Sequence, residues 1–167
     1  MSKNREFSST SANRYSLALY ELASETKLLN EIQDDSFNFI KLISNSKEFD
    51  NLIKNPTLSQ DVLFNVINKV SEISNLESLF KNFLGLLISK RRFFYVERIL
   101  KIFLEICSEK RGELKAEIKS AKQLSNDEIE KITQDLSTNF NSKIKLNYKY
   151  DQSLIGGLVV QVGSTMI

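Results

Sequence analysis

From Ala12 onward the apolar residues recur three and four positions apart, the spacing that gathers them on one side of an α-helix. Tyr15, Ala18, Leu19 and Leu22 form the first stripe, and Leu17 and Tyr20 lie off it, so this helix is apolar on more than one side. A second helix turns Leu28, Ile32, Phe39 and Ile43 inward and Glu31, Asp34, Asp35 and Lys41 outward, until the rhythm breaks at Ser44-Asn45-Ser46. Phe49, Leu52 and Ile53 predict a short third helix stopped by Asn55-Pro56, because the residue before a proline is pushed out of the α region. Ser59 offers a capping hydroxyl to a fourth helix, with Val62, Leu63, Val66, Ile67 and Val70 facing inward. The fifth carries Leu76, Leu79, Phe80, Phe83, Leu84, Leu87 and Ile88, and Leu86 widens the stripe beyond a single contact. Lys90-Arg91-Arg92 closes it with cations that suit the carbonyl end of a helix. Val96, Ile99, Leu100, Phe103 and Leu104 mark a sixth helix, with Gly112 as its stop.

Beyond Gly112 the period shortens to two. Leu114, Ala116 and Ile118 alternate with Lys115, Glu117 and Lys119, the pattern of a half-exposed strand. Ser125 and Glu128 stand at capping-box spacing before a helix whose face is Ile129, Ile132, Leu136 and Phe140. Ile144, Leu146, Tyr148 and Tyr150 then alternate with Lys143, Lys145, Asn147 and Lys149 in a second amphipathic strand. Leu158 to Val162 is a short β-branched run between glycines and reads as a strand buried on both faces. Gly163 ends it, and Gly156-Gly157 at its entrance serve either a bend needing positive φ or a close backbone approach. A phosphate loop is the weaker reading, since these glycines lead into a strand and no lysine follows. The predicted fold class is therefore α+β: an N-terminal six-helix bundle over 12–110, then a small β-α-β-β C-terminal domain over 113–167 with its helix on one sheet face. At about fifty residues the second domain is marginal on its own and leans on the bundle or on a partner.

Composition narrows the chemistry. The chain has 167 residues and 41% hydrophobic content, enough for a packed core. Charge interrupts every apolar run well short of the roughly 20 residues of a membrane span. With 23 basic and 21 acidic residues interspersed, no block of charge marks a nucleic-acid surface. There is no histidine and one cysteine, which removes the imidazole base, the zinc cage and the disulfide. Cys107 lies in an apolar helix run and reads as a small core residue. Residues 1–11 are polar, lack a secretory core segment and read as a frayed arm.

Three stretches together carry a resemblance. Tyr-x-x-Ala-Leu-Tyr-Glu-Leu-Ala from Tyr15 to Ala23, the Ser120-Ala121-x-x-Leu124-Ser125 element, and the closing Asp151-x-Ser153-Leu154-Ile155-Gly156-Gly157-Leu158-x-Val160-x-Val162-Gly163 resemble the delta subunit of F-type ATP synthases, the oligomycin-sensitivity-conferring protein family. The resemblance runs from Ala12 to the end.

It implies a stator component with no chemistry and no cofactor, present as one copy per complex. The helical domain would grip the N-terminal helices of the alpha subunits with its first and fifth helices, and the C-terminal domain would receive the b subunits of the peripheral stalk. By position, Tyr15, Ala18, Leu19 and Leu22, with Phe83, Leu86 and Lys90, become the alpha-subunit contact, while Gly156, Gly157 and Gly163 stay structural. The expected location is the cytoplasmic face of a bacterial inner membrane, with the mitochondrial matrix face as the alternative, and the membrane is reached only through the complex. Two departures stand out. Many relatives have a small residue or glycine where Arg91 precedes Arg92, and the family usually runs past Thr165-Met166-Ile167 into an aspartate and a terminal amphipathic helix.

Two other functions compete. An enzyme would need titratable groups converging in a pocket, and here they are strung along solvent faces. An RNA-binding adaptor would use Tyr148 and Tyr150 beside Lys143, Lys145 and Lys149, but the tyrosines share a strand face with Ile144 and Leu146, which assigns them to the core.

Overall fold

The computed structural model of the protein describes residues 2–163 and 165–166, with side chains from Thr10 to Gly163. Contacts divide the chain into two compact units, Met1–Cys107 and Ser108–Ile167. The protein is α+β.

The first unit is built from α1 (Ser2–Glu25), α2 (Leu29–Asn45), α3 (Lys47–Lys54), α4 (Gln60–Ser74), α5 (Ser78–Ser89), a 3-10 turn at Phe93–Tyr95, and α6 (Val96–Lys110). Helix α1 starts at Ser2, so the expected arm is helical; no glycine or proline interrupts it there. One core gathers Leu19, Ile32, Phe39, Phe80, Leu84, Leu100 and Phe103. Phe39 is its hub, edge-on to Phe49 and Phe80 at centroid distances of 5.7 and 5.9 Å. The Ser16 hydroxyl is shared between the carbonyls of Ala12 at 2.8 Å and Ile99 at 2.7 Å, tying α1 to α6. Gly85 permits a close approach of α4: a Cβ there would stand 3.3 Å from the Phe64 ring.

Helix starts follow local chemistry. Ser46 and Ser59 accept from the N–H groups of Phe49 and Val62 and cap α3 and α4. Val62 itself is exposed, against expectation. It stands five residues before Ile67, more than a third of a turn past a full one, and so on another side of α4. Asp35, expected on an outer face, is half-buried and accepts from the Glu77 N–H at 2.8 Å, holding the entrance to α5.

Helix ends show a feature that composition conceals. Lys27, Arg91, Gly112 and Asn141 all have φ between 48° and 74° and close α1, α5, α6 and α7 (Asn126–Phe140). At α5 the Arg91 N–H donates to the Ile88 carbonyl and the Arg92 N–H to that of Leu87, the paired bonds of a Schellman motif. Arg91 thus takes the left-handed conformation that glycine usually supplies at a helix end.

The second unit runs β1 (Leu114–Ser120), α7, β2 (Ile144–Tyr150), β3 (Leu158–Val162) and β4 (Thr165–Met166). The last is one strand more than expected. The sheet order is β2-β1-β3-β4, with β1 parallel to β2 and antiparallel to β3. Helix α7 starts on the full Ser125–Glu128 capping box and packs Ile132, Leu136 and Phe140 against Ala116, Ile118, Ile144, Val160 and Val162. One helix covers one face, so β3 is buried only on that side: Val160 and Val162 are inside, while on the other side Val159 is half-buried and Gln161 exposed, and Leu158 at the start of the strand is open. The reading of β3 as buried on both faces is thereby corrected.

Candidate functional site

Helix α1 buries Ala12, Ser16, Leu19 and Ala23, a single stripe at helical spacing. A second stripe beside it, Tyr15, Ala18 and Leu22, runs from half-buried to open, and Leu22 is 46% exposed. Helix α5 repeats the arrangement. Phe80, Phe83, Leu84, Leu87 and Ile88 are buried, whereas Leu86 is 43% exposed and Lys90, at the end of the helix, is exposed. The buried apolar residues of both helices belong to one core cluster.

This separates the seven residues expected to meet a partner. Leu19, 1% exposed, and Phe83, 7% exposed, are core, because each sits at the centre or border of its helix's buried face. They are withdrawn from the contact set. Tyr15, Ala18, Leu22, Leu86 and Lys90 reach the surface. Leu17, also exposed, lies off the α1 stripe.

A second surface feature was not foreseen. Around Pro56, Leu58, Arg91, Phe93, Phe94 and Tyr95 there is a groove of about 630 Å³. Phe94 is 52% exposed and stands edge-on to Tyr95 at 5.2 Å. Gln60 also lines it, its amide donating to the Ile88 and Ser89 carbonyls. The signal in the sequence was Phe93-Phe94-Tyr95 itself, since three consecutive residues of a tight turn cannot all point inward.

The glycines behave unequally. Gly157 has φ +88° at the bend before β3 and Gly163 has φ +59° after it, conformations that side chains rarely adopt. Gly156 lies in the same bend, but its φ is not positive, and nothing lies within 4 Å of a Cβ built there or at Gly157. The bend, and not a close backbone approach, is therefore their use. The Tyr148 hydroxyl accepts from the Leu124 N–H at 3.0 Å and donates to the Lys122 carbonyl at 3.1 Å, fixing the loop ahead of α7. That ring belongs to the fold, and Tyr150 is half exposed. Among the described residues no acidic, histidine or cysteine cluster could hold a metal ion, and no helix is long and apolar enough to cross a membrane.

A helical unit with leucines left at its surface, followed by a small mixed sheet, defines an α+β protein whose distinctive surface is suited to other chains. Comparisons specify which. The ATP synthase delta (OSCP) subunit family model matches residues 12–167. The chain is 60% identical over 167 residues to ATP synthase subunit delta of Pelagibacter ubique, covering 100% of this chain and 90% of that protein. It is 34% identical to ATP synthase subunit delta of Dinoroseobacter shibae, with the same coverage. Its fold matches a chain of the Toxoplasma gondii mitochondrial ATP synthase hexamer with a TM-score of 0.75 at 17% identity, over 89% of this chain and 83% of that one. The chain belongs to the ATP synthase delta (OSCP) subunit family, and it is a non-catalytic subunit.

Proposed function

We propose that the protein is a stator subunit of a proton-translocating F-type ATP synthase. It links the alpha/beta catalytic head to the b subunits of the peripheral stalk and so keeps the head from turning with the rotor. The six helices of residues 12–110 act as one bundle on the head, and residues 113–167 face the stalk. The observation that carries this reading is the exposure of Leu22 on α1 and Leu86 on α5, two helices that both send apolar residues into one core. An amphipathic helix laid on such a surface buries its own apolar face, the helix-in-groove mode of recognition. The alpha-subunit N-terminus is the helix proposed for it, held by Tyr15, Ala18, Leu22 and Leu86, with Lys90 at the rim. The complex, at the cytoplasmic face of a bacterial inner membrane, supplies the membrane association.

The test is a titration of the purified protein with a peptide of the alpha-subunit N-terminus from the same complex, read by circular dichroism and calorimetry. The peptide gains helix on binding. Ala18→Asp combined with Leu86→Asp weakens binding at least about a hundredfold, since charges are buried without partners, while the protein's own helicity and melting temperature stay near wild type. Equal affinity for variant and wild type would refute the contact, and no binding by the wild type would refute the head assignment.

A further inference from the structure

The open side of the sheet carries a pattern that neither the packing nor the proposed head contact uses. β1 and β2 run in a register that sets Lys115 opposite Lys145 and Lys119 opposite Lys149, with Glu117 opposite Asn147 between them. These side chains alternate with Ala116, Ile118, Ile144 and Leu146, which face the α7 side, so all six share the other face. The four lysines are exposed. Adjacent strands lie about 4.8 Å apart, and like charges directly opposite one another weaken the pairing.

Of the six residues on this face four are lysines and one, Glu117, is an acid. Glu117 lies 3.9 Å from the Lys119 Nζ and 3.3 Å from the Lys149 Nζ. At the end of the face Asp151 is engaged by Ser153, whose N–H and hydroxyl donate to its carboxylate at 2.9 and 2.6 Å. Lysines on an edge strand ward off stray strand pairing, and that accounts for β2, which ends the sheet. It does not account for Lys115 and Lys119, because β1 is an interior strand between β2 and β3. Across the unit, α7 carries Asp127, Glu128, Glu130 and Asp135 against Lys131, so acid is gathered on the helix and base on the sheet.

We infer that this lysine face docks an acidic segment of a partner protein, whose carboxylates settle on the two lysine rows. The rows stand four residues apart, about 13 Å at roughly 3.3 Å per strand residue. Acidic residues seven or eight positions apart stay on one side of a helix and span about 10.5 to 12 Å at about 1.5 Å per residue, close enough for their side chains to reach both rows. A nucleic acid is the poorer fit, since Tyr148 and Tyr150 lie on the opposite face and leave these lysines without an aromatic platform for bases. The inference rests on the proposal that residues 113–167 receive the peripheral stalk, and it supplies the chemistry of that contact.

The experiment compares full-length wild type with the double variant Lys119→Gln, Lys145→Gln, which removes one lysine from each row and leaves Lys149 for Glu117. The probe is the purified soluble part of the b subunits of the same complex, titrated at several salt concentrations. The variant is expected to bind at least about tenfold more weakly and with a shallower salt dependence. Its melting temperature holds or rises, because opposed like charges have been relieved; a purely structural role for these lysines would lower it. If wild type and variant bind the stalk equally, the lysine face is overturned while the stalk assignment stands. If wild type does not bind the stalk, both fall. If a uridine oligonucleotide binds wild type more tightly than the stalk does, and the variant loses that binding, the acidic-protein occupant is overturned.

Discussion

Asp35 and Arg91 show how single positions acquire roles that their residue type does not announce. Burial raises the Asp35 carboxyl above the ordinary carboxylate value; the Glu77 N–H opposes that rise, and the Glu77 and Asp34 carboxylates add to it. A raised value means that the fold favours the protonated acid. Its contribution to stability is thus complete in acid, below the unfolded value, and is lost as pH climbs through the raised one. Asp35→Asn keeps an oxygen for the Glu77 N–H and removes the charge. We expect its melting temperature to match or exceed wild type at pH 7, with the difference closing as pH falls below the ordinary carboxylate range. Thermal melts from pH 3 to 7 check this, and a variant that loses ground to wild type with rising pH contradicts it. Nothing along the chain singled out Asp35, since its partner stands forty-two positions away. The Leu19 and Leu22 pair teaches a related lesson: both belong to one helical rhythm, yet one is sealed and the other open.

Helices announced their middles better than their ends. Serine caps before α4 and α7 were visible because the Ser side chain bonds an N–H only three positions on, a local event, whereas Ser46, which caps α3, reads in the sequence only as a break. The stops were harder, since a left-handed residue at the end of a helix is marked reliably only when it is glycine. Here Lys27, Arg91 and Asn141 take that conformation. For a residue with a Cβ it costs roughly 1–2 kcal/mol, partly offset because glycine would lose more freedom on folding, roughly 0.5–1 kcal/mol. Arg91→Gly is therefore expected to stabilise the protein by about 0.5 kcal/mol, measured by denaturant titration; a loss of stability would show that the Arg91 side chain contributes more than its backbone strain costs. For the strands, alternation foretold β1 and β2. It misjudged β3, whose continuous apolar run suggested two covered faces although α7 covers only one.

The two units suggest two kinds of grip. On α1 and α5 the proposed contact is apolar, through Leu22 and Leu86, and on the sheet it is electrostatic, through opposed lysines. Salt separates such contacts, because added ions screen exposed charges beyond about 8 Å at physiological strength and hardly touch apolar burial. Raising salt from about 0.05 to 0.5 M should weaken stalk binding by an order of magnitude or more and leave binding of the alpha-subunit peptide within about twofold. Parallel titrations of one preparation measure both, and equal salt slopes would remove the division of labour. The family was legible early because Tyr15 to Ala23 and the Asp151 to Gly163 stretch are long and specific runs, whereas the lysine face was not, since Lys115 and Lys145 become neighbours only across strands.

Residue order alone settled the α+β class, the change from helical to strand rhythm after Gly112, the caps at Ser59 and Ser125, and the family. Each of these follows from neighbours a few positions apart, where backbone geometry dictates which side chains meet. Packing had to decide the rest: that Leu19 and Phe83 are core while Leu22 and Leu86 are surface, that Asp35 reaches Glu77, and that four lysines stand in two opposed pairs. Burial and strand register depend on partners distant along the chain, and a periodic stripe fixes the direction in which a side chain points without fixing what lies there.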